Sequence, residues 1–298
     1  MNEIYEISIL GKIVWNLHSL NNEGSVGNVI EPRTVILANG AKTDGISGEM
    51  LKHIHVEKMW ELENDKNKLC EACKILEPAR ADKSKDVKSK DSAVTAVQQA
   101  LKDCKICDIH GFLVQKPTVA RPSTIEFGWA LGIPEIYRDV HIHARHALGE
   151  KETNEGEEDK SSQMVYHRPT RSGTYAIVSL FQPWRIGLNN VNLNYEVSDE
   201  ERKLRYQLAL KAYQSMFLRT DGAMTTTRLP HTQNFEGIIV ISRTNYPAPV
   251  ISPLNNDYKE EMNKIRDATK SIDVIEFNSL SDFVNKINGI SQENLYKI

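Results

Sequence analysis

The chain has 298 residues, of which 40% are hydrophobic and 26% charged, and its formal net charge is −3. These values are typical of a globular protein with one large domain or about two. No run approaches the roughly 18 apolar residues of a membrane span, and residues 1–10 show no basic segment followed by an apolar one, so we expect a cytoplasmic protein with no membrane partner. The net charge argues weakly against a general nucleic-acid binder but allows a local basic groove.

The first predicted elements are a long strand and a capped helix. Residues 4–17, "IYEISILGKIVWNL", predict one strand or two joined at Gly11. In "TDGISGEMLKHIH" (residues 43–55) Ser47 is a candidate N-cap before an apolar stripe. Glycine at a helix start lets a backbone or ligand approach, and free amides there favour an anion, so a plain capped helix and an anion site both stay open. A hydrolase elbow is excluded because Glu49 stands where G-x-S-x-G needs glycine.

Two charged segments, residues 78–93 and 149–163, predict exposed insertions. Between Ser161 and Tyr195 the chain then has no acidic residue but several arginines among aromatic side chains. The strand-like "GTYAIVSLF" lies within this acid-free segment.

The C-terminal part predicts a long helix, a strand and a final strand–helix pair. Ser198 and Glu201 form a capping box, the apolar row Leu204, Leu208, Ala212 and Met216 follows, and Asp221-Gly222 ends the helix. "GIIVIS" and "SIDVIEF" predict strands, and "SDFVNKING" predicts a helix. This order favours an α+β sandwich with insertions over a regular βαβ series.

The four cysteines form two C-x-x-C pairs, Cys70 with Cys73 and Cys104 with Cys107. Two such pairs can complete a closed tetrahedral site, so we predict a structural zinc ion bound by all four thiolates. Free buried thiols and a redox dithiol are the alternatives, but a redox site leaves the second pair unexplained. A Cys₄ site has no position for water, so this metal would stabilise the fold rather than catalyse.

Two further clusters allow more than one interpretation. "HIHARH" would place His141 and His143 on one face of a strand, as metal ligands or as part of a polar, RNA-facing strand. Residues 219–232, "RTDGAMTTTRLPHT", form either a solvated connection or a loop whose donors and arginines bind phosphates.

Six segments in this order resemble the CRISPR-associated autoregulators of the DevR type, the Cas-seven-type backbone subunits of type I Cascade complexes. They are "SLNNEGSVGNVIEPRTV", "DGISGEMLKHIH", "CDIHGFL", "RPSTIEFGWALG", "SSQMVYHRPTRSGTYA" and "DGAMTTTRLPHTQNFEGIIVIS". The resemblance implies an α+β fold with a modified RNA-recognition-motif (ferredoxin-like) palm, inserted lobes and a thumb hairpin. We expect a single domain over residues 1–298, with a zinc-knuckle lobe at about 66–110 and a thumb insertion at about 141–173.

The resemblance also implies function: binding without catalysis, with head-to-tail copies along the spacer of one CRISPR guide RNA. Other Cascade subunits, and target DNA through guide pairing, are the further partners. Carried over residue by residue, the expected RNA contacts are Asn28, Arg33, Ser47, Gly48, Lys52, His53, Arg121, Arg145, Arg168, Arg171, Arg219 and Arg228. Contacts to the RNA backbone would tolerate any spacer sequence.

Two enzymatic alternatives remain. A relative that cleaves its bound target RNA would need an acid at the cleavage point, and Asp44 is the one candidate, with a turn position as its ordinary role. A zinc-dependent enzyme acting on small molecules would need an open coordination position, which four cysteines do not leave.

Overall fold

The structure, a computed structural model, describes residues 3–27, 29–145, 164–222 and 224–298. The strands are β1 Glu3–Ile4, β2 Glu6–His18, β3 Asn22–Val26, β4 Val29–Pro32, β5 Thr34–Ile36, β6 Lys42–Ile46, β7 Phe112–Gln115, β8 Thr118–Arg121, β9 Ile125–Phe127, β10 Ala130–Gly132, β11 Tyr137–Arg145, β12 Met164–Phe181, β13 His231–Ser242, β14 Ile272–Phe277 and β15 Asn294–Leu295. The helices are α1 Gly48–Leu62, α2 Glu71–Lys74, α3 Lys85–Lys88, α4 Ala93–Asp103, α5 Lys105–His110, α6 Asp199–Leu218, α7 Tyr258–Thr269 and α8 Leu280–Ile290.

The main sheet has the order β14-β13-β2-β12-β10-β6-β5, and its neighbouring strands are antiparallel. β9 and β11 pair antiparallel with β12, and β4 pairs with it in parallel at a single position. The register of β12 against β2 shifts between Arg171 and Gly173. The predicted α+β organisation is confirmed as far as a mixed α/β chain, and its main sheet is antiparallel.

Alternation along the central strands builds a core on each face of this sheet. On β2, Ile7, Ile9 and Ile13 face the larger core, whereas Leu10 faces the smaller one. Gly11 continues the strand without a break, and a Cβ added there would lie 2.7 Å from the Phe235 ring. Residues 6–18 therefore form one strand through Gly11, whereas Ile4 belongs to the separate strand β1.

Helices α1, α6 and α8 cover the larger core and α7 covers the smaller one. Ser198 caps α6 by accepting a hydrogen bond from the amide of Glu201, as predicted. The helix ends at Leu218 instead of Asp221-Gly222, and Leu204, at the start of the predicted apolar row, is exposed. Among the described helices, none is long and apolar enough to cross a bilayer.

The cysteine-containing segment between α1 and β7 folds as short helices α2 to α5. The prediction that residues 78–93 form an exposed insertion is wrong for Ala81 and Val87, which are buried in the larger apolar cluster. The charges alternate with apolar positions on turns of helix, so one side of the segment is covered and the other is solvated. The lobe's buried residues join the same apolar cluster as those of the sheet.

β11 and the first part of β12 form a hairpin that extends from the sheet. In the register of this hairpin, His141 lies opposite Arg168 and His143 lies opposite Tyr166. The acidic insertion at 149–163 lies outside the described residues.

Candidate nucleic-acid interface and metal centre

The four cysteines converge on one point. Cys107 Sγ lies 3.7 Å from Cys70 Sγ and 3.8 Å from Cys73 Sγ, and all four Sγ atoms lie within 4.8 Å of one another. A tetrahedral site with Zn–S bonds of about 2.3 Å would separate its sulfur atoms by about 3.8 Å. The cysteines are buried and unbridged, so the cluster fits a structural metal.

The electrostatics of the cluster also favour a bound cation. Hydrogen bonds from Cys104, Cys107 and Cys73 lower the pKa of Cys70 far below its ordinary value. Hydrogen bonding with Cys104, Cys70 and Cys73, together with burial, raises the pKa of Cys107 well above it. Four thiolates this close repel one another, and a divalent ion would supply the charge that lets all four ionise.

The start of α1 is covered by the protein itself. A Cβ on Gly48 would lie 2.2 Å from the Phe127 carbonyl oxygen, so the close approach that glycine permits is made by β9. Ser47 is buried, and its hydroxyl accepts a hydrogen bond from the Met50 amide at 3.3 Å. Its own amide donates to Asn21 Oδ1 at 2.6 Å. Of the two interpretations left open, the ordinary capped helix describes the observed contacts.

Lys52 and His53 lie on the next turn, Lys52 near Arg80 and His53 near a carboxylate. Burial and the charge of Arg80 lower the pKa of Lys52, which is half-buried. His53 Nε2 lies 3.2 Å from Glu57 Oε1. The cavity beside His53, about 620 Å³ in volume, is also lined by Glu57 and Asp221, which disfavour a phosphate.

Two expected RNA contacts, Arg121 and Arg171, are buried. Arg121 donates to the Asp108 carboxylate and, at 2.5 Å, to the Leu188 carbonyl. Arg171 Nη1 lies 3.0 Å from Asp44 Oδ2, and its other terminal nitrogen donates to the Leu20 carbonyl. Both guanidinium groups are held by interior acceptors and do not belong to the exposed basic surface.

Asp44 lies on strand β6, whereas its ordinary role predicted a position in a turn. Its carboxylate is fully buried and is paired with Arg138 and Arg171. The Tyr175 hydroxyl donates to it at 3.3 Å. The acid therefore anchors the base of the hairpin to the sheet.

Arg168 and Arg228 line one cavity of about 530 Å³, which we call the basic pocket. Its described lining consists of Leu17, His141, His143, Arg168, Thr170, Thr226, Thr227, Arg228, Leu229 and His231, and none of these is acidic. Arg228 Nε and Nη1 are buried and have no hydrogen-bond partner among the described residues. Burial and the neighbouring Arg168 charge lower the pKa of Arg228. Two arginines in a pocket whose described lining has no carboxylate favour an anion such as phosphate.

The other expected contacts are scattered. The Arg33 guanidinium lies over the Trp129 ring, 5.8 Å from its centre. Arg219 is exposed but pairs with Asp221 at 3.2 Å. Asn28 lies outside the described residues, and Arg145 ends β11 with its side chain outside the description.

Sequence reasoning missed the contacts that Tyr166 makes beside the basic pocket. Its ring stacks with that of His143, with centroids 5.5 Å apart and planes 13° apart. The Arg168 guanidinium carbon lies 4.7 Å from the Tyr166 ring centre. Two-residue spacing on a strand could have placed Tyr166 and Arg168 on one face. His141 and His143 are not part of a metal site within the described residues, where the cysteine cluster alone has suitable geometry.

Comparisons with known proteins agree over most of the chain. The family described as CRISPR-associated negative auto-regulator DevR/Csa2 matches residues 9–263. A "CRISPR-associated protein Cas7/Cst2/DevR" of Methanocaldococcus jannaschii is 26% identical over 310 residues of alignment, which cover 96% of this chain and 97% of that protein. A protein of the same name from Thermoproteus tenax is 27% identical over 260 residues, covering 80% and 74%.

Two solved structures share the fold at low identity. A chain of a "CRISPR RNA-guided surveillance complex, pre-nicking" has a TM-score of 0.51 at 12% identity and covers 91% of this chain and 90% of its own length. A chain of a "CRISPR RNA-guided surveillance complex" has a TM-score of 0.50 at 11% identity, with coverage of 96% and 99%. By the match over residues 9–263, the chain belongs to the DevR/Csa2 family of CRISPR-associated proteins.

Proposed function

We propose that this chain is a backbone subunit of a CRISPR surveillance complex that binds the guide RNA through its phosphates. The observation that carries the proposal is the basic pocket, which Arg168 and Arg228 line and whose described lining has no acid. Within the part of the chain that the structure describes, two Arg228 donors also have no partner. Family membership and a fold shared with chains of RNA-guided surveillance complexes support it. In this proposal the sheet is an RNA-recognition-motif-like palm and the β11–β12 hairpin is the thumb.

Because a guide strand offers repeated equivalent steps, copies of the chain would associate head to tail along it. Other subunits of the complex would contact the ends of this array, and target DNA would be read by pairing with the guide. Phosphate contacts carry no sequence information, which suits a carrier of many different spacers.

The proposed role is binding without catalysis. Asp44, the acid considered for target cleavage, is buried in ion pairs with Arg138 and Arg171 and has no exposed surface to offer a scissile phosphate. The proposed zinc ion would have four sulfur ligands, and its role would be to stabilise the cysteine lobe.

The experiment is a titration of single-stranded RNA with the full chain at several salt concentrations. We expect Arg168→Ala and Arg228→Ala each to weaken binding about equally for unrelated RNA sequences. Each should reduce the slope of log K against log salt by roughly 0.7, the value for one lost phosphate contact on a single strand. The matched control is Arg266→Ala, because Arg266 lies on α7, the helix that covers the smaller core.

Unchanged affinity in both pocket variants, or loss confined to one RNA sequence, would contradict phosphate binding at this pocket. Sequencing the nucleic acid that co-purifies with the protein tests the assignment independently. Recovery of CRISPR transcripts is the expected result, and protein free of them that also refuses added RNA would contradict it.

A further inference from the structure

The side of the hairpin that faces the basic pocket carries a stacked pair of aromatic rings, His143 and Tyr166. His143 is exposed and its ring lies nearly parallel to that of Tyr166, its partner across the two strands. Arg168 follows Tyr166 by two residues and places its guanidinium against the same ring. Nucleobases stack on aromatic rings and on arginine planes, and such stacking is tolerant of base identity.

The charge next to this stacked pair is arranged for an anion. Arg168 contacts the Tyr166 ring and also lines the basic pocket, which it shares with Arg228. Arg228 Nε and Nη1 have no acceptor among the described residues, so no such internal partner competes with a phosphate for this guanidinium. The pocket volume of about 530 Å³ lies within the range of sites that hold one small ligand.

We propose that these residues form a subsite for one nucleotide, in which the base extends the stack formed by Tyr166 and the exposed His143 while Arg168 and Arg228 hold the adjoining phosphate. This inference rests on the proposed RNA binding and adds to it a base contact that phosphate recognition alone does not require. Since any base presents an aromatic face, the subsite would accept every guide sequence. Arg168 would serve both parts, because its guanidinium touches the ring and lines the pocket.

Two variants of Tyr166 and two probes test the subsite. The probes are an oligoadenylate and a ribose-phosphate oligomer of the same length without bases. We expect Tyr166→Leu to weaken oligoadenylate binding by about tenfold, as stacking energies for one base predict, and to leave the abasic oligomer unchanged. Tyr166→Phe keeps the ring and should bind both probes like the wild type, whereas Arg168→Ala should weaken both.

If Tyr166→Leu fails to fold, His143→Ala replaces it, because His143 is exposed on the hairpin and a smaller loss in the same direction is expected. Equal wild-type affinity for the two probes would overturn the base contact and leave phosphate binding intact. Wild-type affinity of Tyr166→Leu for oligoadenylate would overturn it as well. A wild-type chain that binds neither probe would overturn the proposed function, and the subsite with it.

Discussion

Asp108 Oδ2 accepts a hydrogen bond of 2.8 Å from Arg205 Nη1, and this contact joins the cysteine lobe to the long helix α6. Arg121 pairs with the other carboxylate oxygen, and the Gly187 amide lies within 3.0 Å of both. The carboxylate is fully buried, and both arginines are nearly so. Asp108, which directly follows Cys107, therefore connects the cysteine cluster to the rest of the protein.

Replacing Asp108 should cost much of the stability of the fold. Asp108→Asn keeps the shape of the side chain but leaves two buried guanidinium groups without a counter-charge, so we expect the free energy of unfolding to fall by about 3–5 kcal/mol. Urea denaturation measures this change. Asp86→Asn in the same lobe, where the side chain is exposed, should change stability little. Equal stability of Asp108→Asn and Asp86→Asn would show that the buried arginines do not require the charge of Asp108.

Protein purified without added metal should contain one zinc ion per chain by mass spectrometry. Cys107→Ser should remove the metal and lower the midpoint of thermal unfolding strongly, because binding free energies of structural zinc reach on the order of 10 kcal/mol. Lys88→Ala, on the exposed side of α3, should keep both the metal and the midpoint. Folded wild-type protein with far less than one metal ion per chain would refute the site.

Stability should decrease as pH falls from 7.5 to 5.5. His55 Nε2 lies 3.0 Å from the Ala209 carbonyl and donates to it, so His55 Nδ1 accepts from His110 Nε2 at 2.9 Å. Burial lowers the pKa of His55 to about 3, and burial and then the neighbouring His55, Arg80 and Lys52 lower the pKa of His110 well below its ordinary value. Both rings are therefore neutral in the folded protein over this range.

Stability decreases at lower pH because the unfolded chain takes up protons that the folded chain does not. Below about pH 6.5 its histidines bind protons that the folded state does not bind, so each costs about 1.4 kcal/mol of stability per pH unit. Urea unfolding at each pH measures the slope, and His55→Gln should reduce it by one proton. A stability that stays constant over this interval would contradict the neutral buried pair.

Complementary RNA incubated with the protein, its guide and magnesium should stay intact. Asp44, the candidate acid for target cleavage, is fully buried and paired with two arginines. Asp44→Asn should therefore act on structure: amide hydrogen exchange at residues 137–144 should become faster, because the base of the hairpin loses its ionic anchor. Regularly spaced cuts that disappear in Asp44→Asn would instead indicate an enzyme.

The parts that sequence predicted best depend on local patterns. Ser47 and Ser198 cap helices that begin where expected, because a capping serine acts through amides two or three residues away. The C-x-x-C spacing likewise brought each cysteine pair within reach of one point, although the chain between the pairs folds into helices instead of an exposed loop.

The parts that sequence could not predict depend on long-range pairing. Nothing local distinguishes Arg121 and Arg171, which meet buried carboxylates, from Arg168, which lines a pocket whose described residues include no acid. The partner of Arg121 is 13 residues away and that of Arg171 is 127 residues away. The stacking of Tyr166 on His143 depends on the register of β11 against β12, which the sequence alone does not specify.

The register shift of β12 between Arg171 and Gly173 constrains how this chain can change in length. Side chains alternate between the two sides of a strand, so removing one residue at the shift would exchange the sides of everything beyond it. Val165 and His167 would then turn towards the pocket, and Tyr166 and Arg168 would turn away. Single-residue insertions and deletions near Ser172 should therefore abolish nucleic-acid binding even where the protein still folds, whereas a two-residue change preserves the alternation.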